Sequence, residues 1–364
     1  MNTVTPRVFI AATRQNDGKT TTSLGLIAAL QQVYPRVGYI KPVGQRFVEI
    51  EEQKIDEDTV LMNSVFRLNC PLLDMSPIAV EPDFTRKYLE HSNNDALVRK
   101  IQKAFDRVAW EKDFVLCEGS GHAGVGSVFD LSNAQVAKTL GAKVIIVTQG
   151  GIGRPIDEVA LNQALFEKEG VEIIGVILNK VVGAKLDYIT EFARKGLKRK
   201  GLELLGVIPH HQTLSNPTID LIREELRAEV LNDAGGLHNL VEDVEVGAMG
   251  AANAVGLFRR GVLLITPGDR ADIIEAAAKT LAAGELMSGI VLTGALRPDA
   301  AIMKLINAMP IPVLLAAPDS YHVASKVHDL TVKTRPTDVG KITLIRDLIA
   351  KSVDVEKIVD ATIL

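Results

Sequence analysis

RVFIAATRQNDGKTTTSLGL, residues Arg7 to Leu26, decides how the rest of the chain is read. Val8-Phe9-Ile10 is a short apolar, β-prone run of the kind that makes a buried strand. Thr13 to Asp17 is polar and without periodicity. Gly18-Lys19-Thr20-Thr21 then opens a segment, Ser23 to Leu30, with helical character. A strand that ends in Gly-Lys-Thr at a helix start presents backbone N–H groups and the positive end of the helix dipole to an anion. Lys19 is placed to reach the terminal phosphates of a nucleotide, and the Thr20 hydroxyl to ligate Mg²⁺. The common pattern G-x-x-x-x-G-K-[ST] has glycine where this chain has Thr13. A surface turn that merely contains Gly-Lys-Thr is the alternative.

Working outward, strands and helices alternate. Val37 to Ile40 reads as a second strand and delivers Lys41-Pro42-Val43 at its carboxyl end. In an open sheet that end faces the crevice where ligands bind. Gln45 to Lys54 reads as a loop and Ile55 to Met62 as a helix, whose acidic first turn suits the helix dipole. Pro71 to Pro82 reads as a surface excursion, and Asp95 to Trp110 has helical spacing. Phe114 to Glu118 is an apolar strand ending in a carboxylate, the usual way to present a Mg²⁺-organising acid beside a phosphate loop. A glycine-rich loop, Gly119 to Gly126, follows; its His122 reads as solvated or structural, and Cys117 as core.

Further strands are expected at 143–148, 173–180 and 204–209. Asn179-Lys180 begins a guanine-reading motif, but Val182 stands where its acid belongs, so adenine is the expected base. Lys19, Lys41, Glu118, Thr148 and Asn179 all fall at or just after strand ends. Strands joined by helices without hairpin signals argue for a mostly parallel, doubly wound α/β sheet.

The composition agrees. Of 364 residues, 47% are hydrophobic and 24% charged, with a net charge of −4, as in ordinary globular α/β proteins. No basic block indicates a nucleic-acid partner; the densest run, Arg194 to Lys200, suits a solvated helix face. Two cysteines make no disulfide framework, and no apolar run has the length of a membrane span. With a strand beginning almost at once and no leader pattern, a cytoplasmic location is expected.

Asn232 to Gly236 reads as a boundary, giving expected domains at 1–232 and 237–350 with a tail at 351–364. Three strand exits in the second domain look alike: Thr266-Pro267-Gly268-Asp269-Arg270, Thr293-Gly294-Ala295 and Ala316-Ala317-Pro318-Asp319-Ser320. Their small residues either leave room for a ligand or serve tight turns.

The first half resembles dethiobiotin synthetase and the cobyrinate synthetase group. The matching pieces are Ala12-Thr13…Gly18-Lys19-Thr20, Lys41-Pro42-Val43, Asp58-Thr59-Val60-Leu61, Glu118-Gly119-Ser120-Gly121, Asn179 and Leu205 to Pro209, with Ala12 in place of a family glycine. The resemblance implies a P-loop NTPase-type sheet. It implies that ATP is held by Thr13, Asp17, Gly18, Lys19, Thr20, Thr21, Asn179 and Pro209. It further implies that Mg²⁺ is held by Thr20, Asp58 and Glu118, and that Lys19, Lys41 and Glu118 are the groups at the chemistry, with Lys41 facing a carboxylate-bearing substrate. The second half resembles the DRTGG domain through Asp269-Arg270 and Thr293-Gly294, with Ala295 at the last glycine. Together the halves look like the N-terminal part of long phosphotransacetylases.

The resemblance thus implies an ATP–Mg²⁺-binding regulatory module with slow hydrolysis, signalling to a protein or small-molecule partner and forming a homodimer. Two alternatives stand beside it: an ATP-dependent ligase that activates a carboxylate or carbamate, and a protein whose nucleotide site has decayed.

Overall fold

The computed structural model describes residues 1–363. The chain folds as two compact units, one made of Met1–His210 with the segment from Thr334 onward, the other of His211–Lys333.

In the first unit, β1 (Arg7–Ala12), α1 (Lys19–Leu30), β2 (Val37–Ile40), α2 (Glu57–Phe66), α3 (Asn94–Ala109), β3 (Phe114–Glu118), α4 (Asn133–Leu140), β4 (Lys143–Gln149), α5 (Arg154–Lys168), β5 (Ile173–Val181), α6 (Leu186–Lys198) and β6 (Leu204–Pro209) follow one another. The six strands form one sheet in the order β6-β5-β4-β1-β3-β2, and every pair in it is parallel. Every residue of β1 and of β3 is buried, which is why Val8 to Ala12 and Phe114 to Cys117 read as unbroken apolar runs. From β1 the chain steps one way to β2, then crosses back and lays β4, β5 and β6 on the other side. That reversal makes the carboxyl ends of β1, β3 and β4 the switch point of the sheet.

Three local expectations change. Pro71 to Pro82, expected to run over the surface, is buried from Asp74 to Ile78, and Lys41 N donates to Met75 O at 2.8 Å. Gln45 to Lys54, expected to be a loop, contains an antiparallel hairpin, Phe47–Ile50 against Gln53–Asp56. Its turn puts Glu51 and Glu52 at φ 49° and 64°, a conformation signalled elsewhere by Asn, Asp or Gly. The helix expected from Ile55 begins at Glu57, because the Asp56 carboxylate caps it by accepting from Asp58 N at 2.9 Å.

In the second unit, α7 (Ile219–Leu226), β7 (Asp243–Val246), β8 (Val262–Pro267), α8 (Ala271–Ala282), β9 (Gly289–Thr293), α9 (Ala300–Ala308), β10 (Val313–Leu315) and α10 (Ser320–His328) build a smaller sheet. Its order is Glu229–Val230, β10, β9, β8, β7, parallel except for the two-residue edge. Ile273, Ala277, Ile302 and Ile306 form one buried core, and Ile219, Ile222, Val323 and Val327 another.

The units do not divide where the composition suggested. Asn232, expected at a linker, is buried inside the second unit: its amide donates to the carbonyls of Ile306 (3.1 Å) and Ile311 (2.9 Å) and accepts from Val313 N at 2.9 Å. The segment expected to be partly second domain and partly tail forms α11 (Val339–Ser352) and α12 (Val355–Thr362) in the first unit. A Cβ at Gly25 of α1 would overlap Ile349, so α11 crosses α1 at close range. Past α11, Asp354 N donates to Leu205 O at 2.8 Å, and Lys143 Nζ to Ala361 O at 2.8 Å.

Candidate functional site

Three features of the chain build the loop after β1. Gly18, at φ 102°, caps α1 without any side-chain acceptor. The first amides of a helix have no acceptor within it, so this start is a ready anion site. A Cβ at Gly18 would land on the Asn179 amide, so glycine is needed for space as well as for φ. The polar part of the loop is braced by its own side chains. Thr13 Oγ1 donates to Asp17 Oδ2 at 2.7 Å and lies 2.8 Å from Thr148 Oγ1, while Arg14 N donates to Asp17 Oδ2 at 2.8 Å. The position where the common pattern has glycine is thus filled by a hydroxyl that fastens the loop to β4.

Asn179 and Lys180, at the end of β5, clamp the loop from the other side. Asn179 Nδ2 donates to Asp17 O at 2.9 Å and Lys180 Nζ to Asn16 O at 2.8 Å. Thr13, Asp17 and Asn179, expected around the nucleotide, are all buried and use these side-chain groups to hold the loop. Thr21 and Pro209 are half-buried.

The chemistry-bearing side chains meet at the other flank. Lys19, 8% exposed, donates to Gly121 O at 3.1 Å, which ties it to the glycine-rich loop. Burial lowers its pKa to about 8, with Glu118 pulling the other way. Thr20 Oγ1 donates to Glu118 Oε1 at 2.9 Å, and the Tyr39 hydroxyl to Glu118 Oε2 at 3.2 Å. Lys41 Nζ lies 3.5 Å from Asp56 Oδ1 and 3.5 Å from Glu118 Oε1 and pairs directly with Asp58. Burial disfavours the Lys41 charge, but Asp58, then Glu118 and Asp56, outweigh it and raise its pKa. Asp56 is raised to about 6, by burial first and against the pull of Lys41. Burial also raises the Tyr39 hydroxyl well above its usual range and the Cys117 thiol to about 12, so Cys117 is a core residue as expected.

Lys19, Thr20, Lys41, Asp58 and Glu118 are therefore brought together from four separate stretches of chain: the start of α1, the end of β2, the first turn of α2 and the end of β3. Asp56, Tyr39 and Asn133 join them without having been expected. Asp56 carried only the signal of a helix start, and Tyr39 only that of a strand interior. Asn133 pins the glycine-rich loop: it accepts from Ser120 N at 3.1 Å and donates to the carbonyls of Ser120 and His122, both at 2.7 Å. Its one sequence signal was the capping box Ser132…Gln135 beside it. His122 accepts from Gly124 N at 3.2 Å and shapes the same loop.

Mg²⁺ takes hard oxygen ligands and keeps several waters. Thr20, Asp58 and Glu118 supply such oxygens, and the ammonium of Lys41 already lies between the two carboxylates, so the donor set fits a cation. Among the described residues no three Asp, Glu, His or Cys side chains hold a metal by themselves.

In the second unit the three strand exits are stitched to each other. Gly268 N donates to Thr293 O (3.2 Å), Gly294 N to Pro318 O (2.8 Å) and Ala295 N to Ala316 O (3.0 Å). A Cβ at Gly268 would overlap Leu296 O. Arg270 donates to Met249 O at 2.8 Å and to Asp272, and Thr293 Oγ1 lies 2.8 Å from Ser320 Oγ. The small residues here serve close backbone approach.

Fold and site define a class: an α/β protein with a phosphate-binding loop at the switch point of a parallel sheet, carrying a second α/β unit. The AAA domain family matches residues 6–218 and the DRTGG domain residues 221–330, and the chain belongs to the AAA domain family. Relatives include phosphate acetyltransferases of Nitratidesulfovibrio vulgaris (28% identical over 95% of this chain and 50% of that protein), Synechocystis sp. (29%, 98% and 52%) and Pseudomonas aeruginosa (29%, 96% and 51%). The chain spans about half the length of these relatives. Among solved structures it is similar to the septum site-determining protein MinD complexed with Mg-ADP from Pyrococcus horikoshii, with TM-score 0.36 and 16% identity over 58% of this chain and 84% of that one. It is also similar to the CBS and DRTGG domains of the regulatory region of Clostridium perfringens pyrophosphatase, with TM-score 0.28 and 18% identity over 49% and 86%. At those scores the fold rests on the strand order given above. No described helix is long and apolar enough to cross a membrane.

Proposed function

We propose that the chain binds ATP with Mg²⁺ and works as a nucleotide-dependent regulatory module, turning ATP over slowly and forming a homodimer. The observation that carries this reading is the meeting of Lys19, Thr20 and Glu118 at an uncapped helix start. One ammonium and a row of backbone amides face the place of a triphosphate tail. Thr20, Asp58 and Glu118 would hold the metal, which would supply charge neutralisation between phosphate oxygens. Asn179 and Pro209 stand at the strand ends where the base would lie.

Regulation is favoured over ligation by Lys41. A ligase of the expected type needs this ammonium turned to a carboxylate substrate, and here it is engaged by three carboxylates of the protein itself. The match to about half of each longer relative also suits a module that accompanies another activity.

Isothermal titration calorimetry with ATP–Mg²⁺ tests the reading. Wild type binds, and Lys19→Ala loses on the order of 2–4 kcal/mol of affinity, as expected for a charge-assisted phosphate contact in a buried site. Absence of binding by wild type overturns it. Phosphate release stimulated strongly by one carboxylate metabolite and abolished by Lys41→Ala would move the chain to the ligases.

A further inference from the structure

The acidic cluster carries its own counter-ion. Lys41 touches Asp58 and lies 3.5 Å from both Asp56 and Glu118, and all four side chains are buried. The Glu118 oxygen it approaches, Oε1, is the same one that accepts from Thr20. The other, Oε2, accepts from Tyr39. The ammonium therefore shares both carboxylates that a divalent cation at Thr20 would need.

We propose that Lys41 is a resident cation that keeps metal off Asp58 and Glu118 until a polyanion arrives to receive its ammonium. Metal binding is then conditional on nucleotide, and nucleotide binding on metal. The physical argument is one of competition. Mg²⁺ gives up water reluctantly and needs net negative charge to offset that cost. A carboxylate pair already neutralised by a buried ammonium offers little of it. Removing the ammonium without a new acceptor would strand a buried charge, which is costly. Phosphate oxygens at the neighbouring helix start are such an acceptor, so the two ligands favour each other, reciprocally. The identity of the polyanion rests on the nucleotide reading above; the competition between Lys41 and a divalent cation does not.

The test is Mn²⁺ binding to the full chain without nucleotide, read from the electron paramagnetic resonance of free Mn²⁺. Wild type and Lys41→Arg bind weakly. Lys41→Met binds at least about tenfold more tightly, within the usual range of such couplings, and Mn²⁺ raises its unfolding temperature but not that of wild type. The double variant Lys41→Met/Asp58→Asn loses the gain. If Lys41→Met is unfolded without metal, circular dichroism reports the same competition: refolding by Mn²⁺ supports the proposal, and a chain that stays unfolded overturns it. Equal Mn²⁺ affinity in wild type and Lys41→Met also overturns it, whatever ATP does. Wild type that binds no ATP while Lys41→Met gains Mn²⁺ sinks the nucleotide reading alone.

Discussion

Lys19 shows at the scale of one residue how burial and charge set a working range. Burial holds its pKa near 8, far below that of a free lysine. The ammonium is therefore present below about pH 8 and lost above it. A polyanion binds the charged form, so ATP affinity is full near neutrality and falls as pH rises through this value. The fall approaches about tenfold per unit until the higher pKa of the bound state is reached. Calorimetric titrations from about pH 7 to about pH 10 check this; a flat profile would mean that Lys19 does not face the anion. The placement of Lys19 at a helix start beyond β1 was legible because Gly-Lys-Thr at a strand exit is a local pattern. The roles of Thr13, Asp17 and Asn179 as braces were not, since their partners are hydroxyls, carbonyls and amides brought in from β4, β5 and the loop.

At the scale of elements, the turn after β9 carries a testable strain. Ala295 stands at φ 55°, a left-handed conformation in which a Cβ is crowded. Its amide donates to Ala316 O, so the turn is locked by the neighbouring exit. Ala295→Gly should stabilise the second unit by about 0.5–1 kcal/mol. Urea unfolding followed by circular dichroism measures it, and a lower midpoint would show that the turn relaxes without cost. Local rules served well for the strands, whose apolar runs carried β1, β3, β4 and β5 into a buried parallel sheet. They failed at Glu51-Glu52, where tertiary pairing of Phe47–Ile50 with Gln53–Asp56 imposes a turn that the residue types do not advertise.

At the scale of the whole chain, the two ends belong to one unit. Ile345, Ile349 and Ile358 of α11 and α12 are buried in the unit that begins at Met1, although they come more than 300 residues later. Ending the chain after Lys333 exposes these residues' partners on α1 and β6. The first unit should lose on the order of 5 kcal/mol or more, and ATP binding with it, because α1 carries Lys19 and Thr20. A thermal melt and calorimetry on the truncated chain decide the matter; unchanged melting would make the C-terminal helices dispensable.

Periodicity and turn chemistry act over a few residues. By itself, then, the sequence determined the alternation of strands and helices, the phosphate loop at Gly18-Lys19-Thr20 and the alignment of polar residues at strand ends. Which carboxylates surround Lys41, what the Thr13 hydroxyl at the place of the loop glycine is fastened to and which unit receives residues 334–363 were decided only in three dimensions. Each of these depends on groups far apart in the chain, whose meeting is set by desolvation and packing, and no local pattern records that.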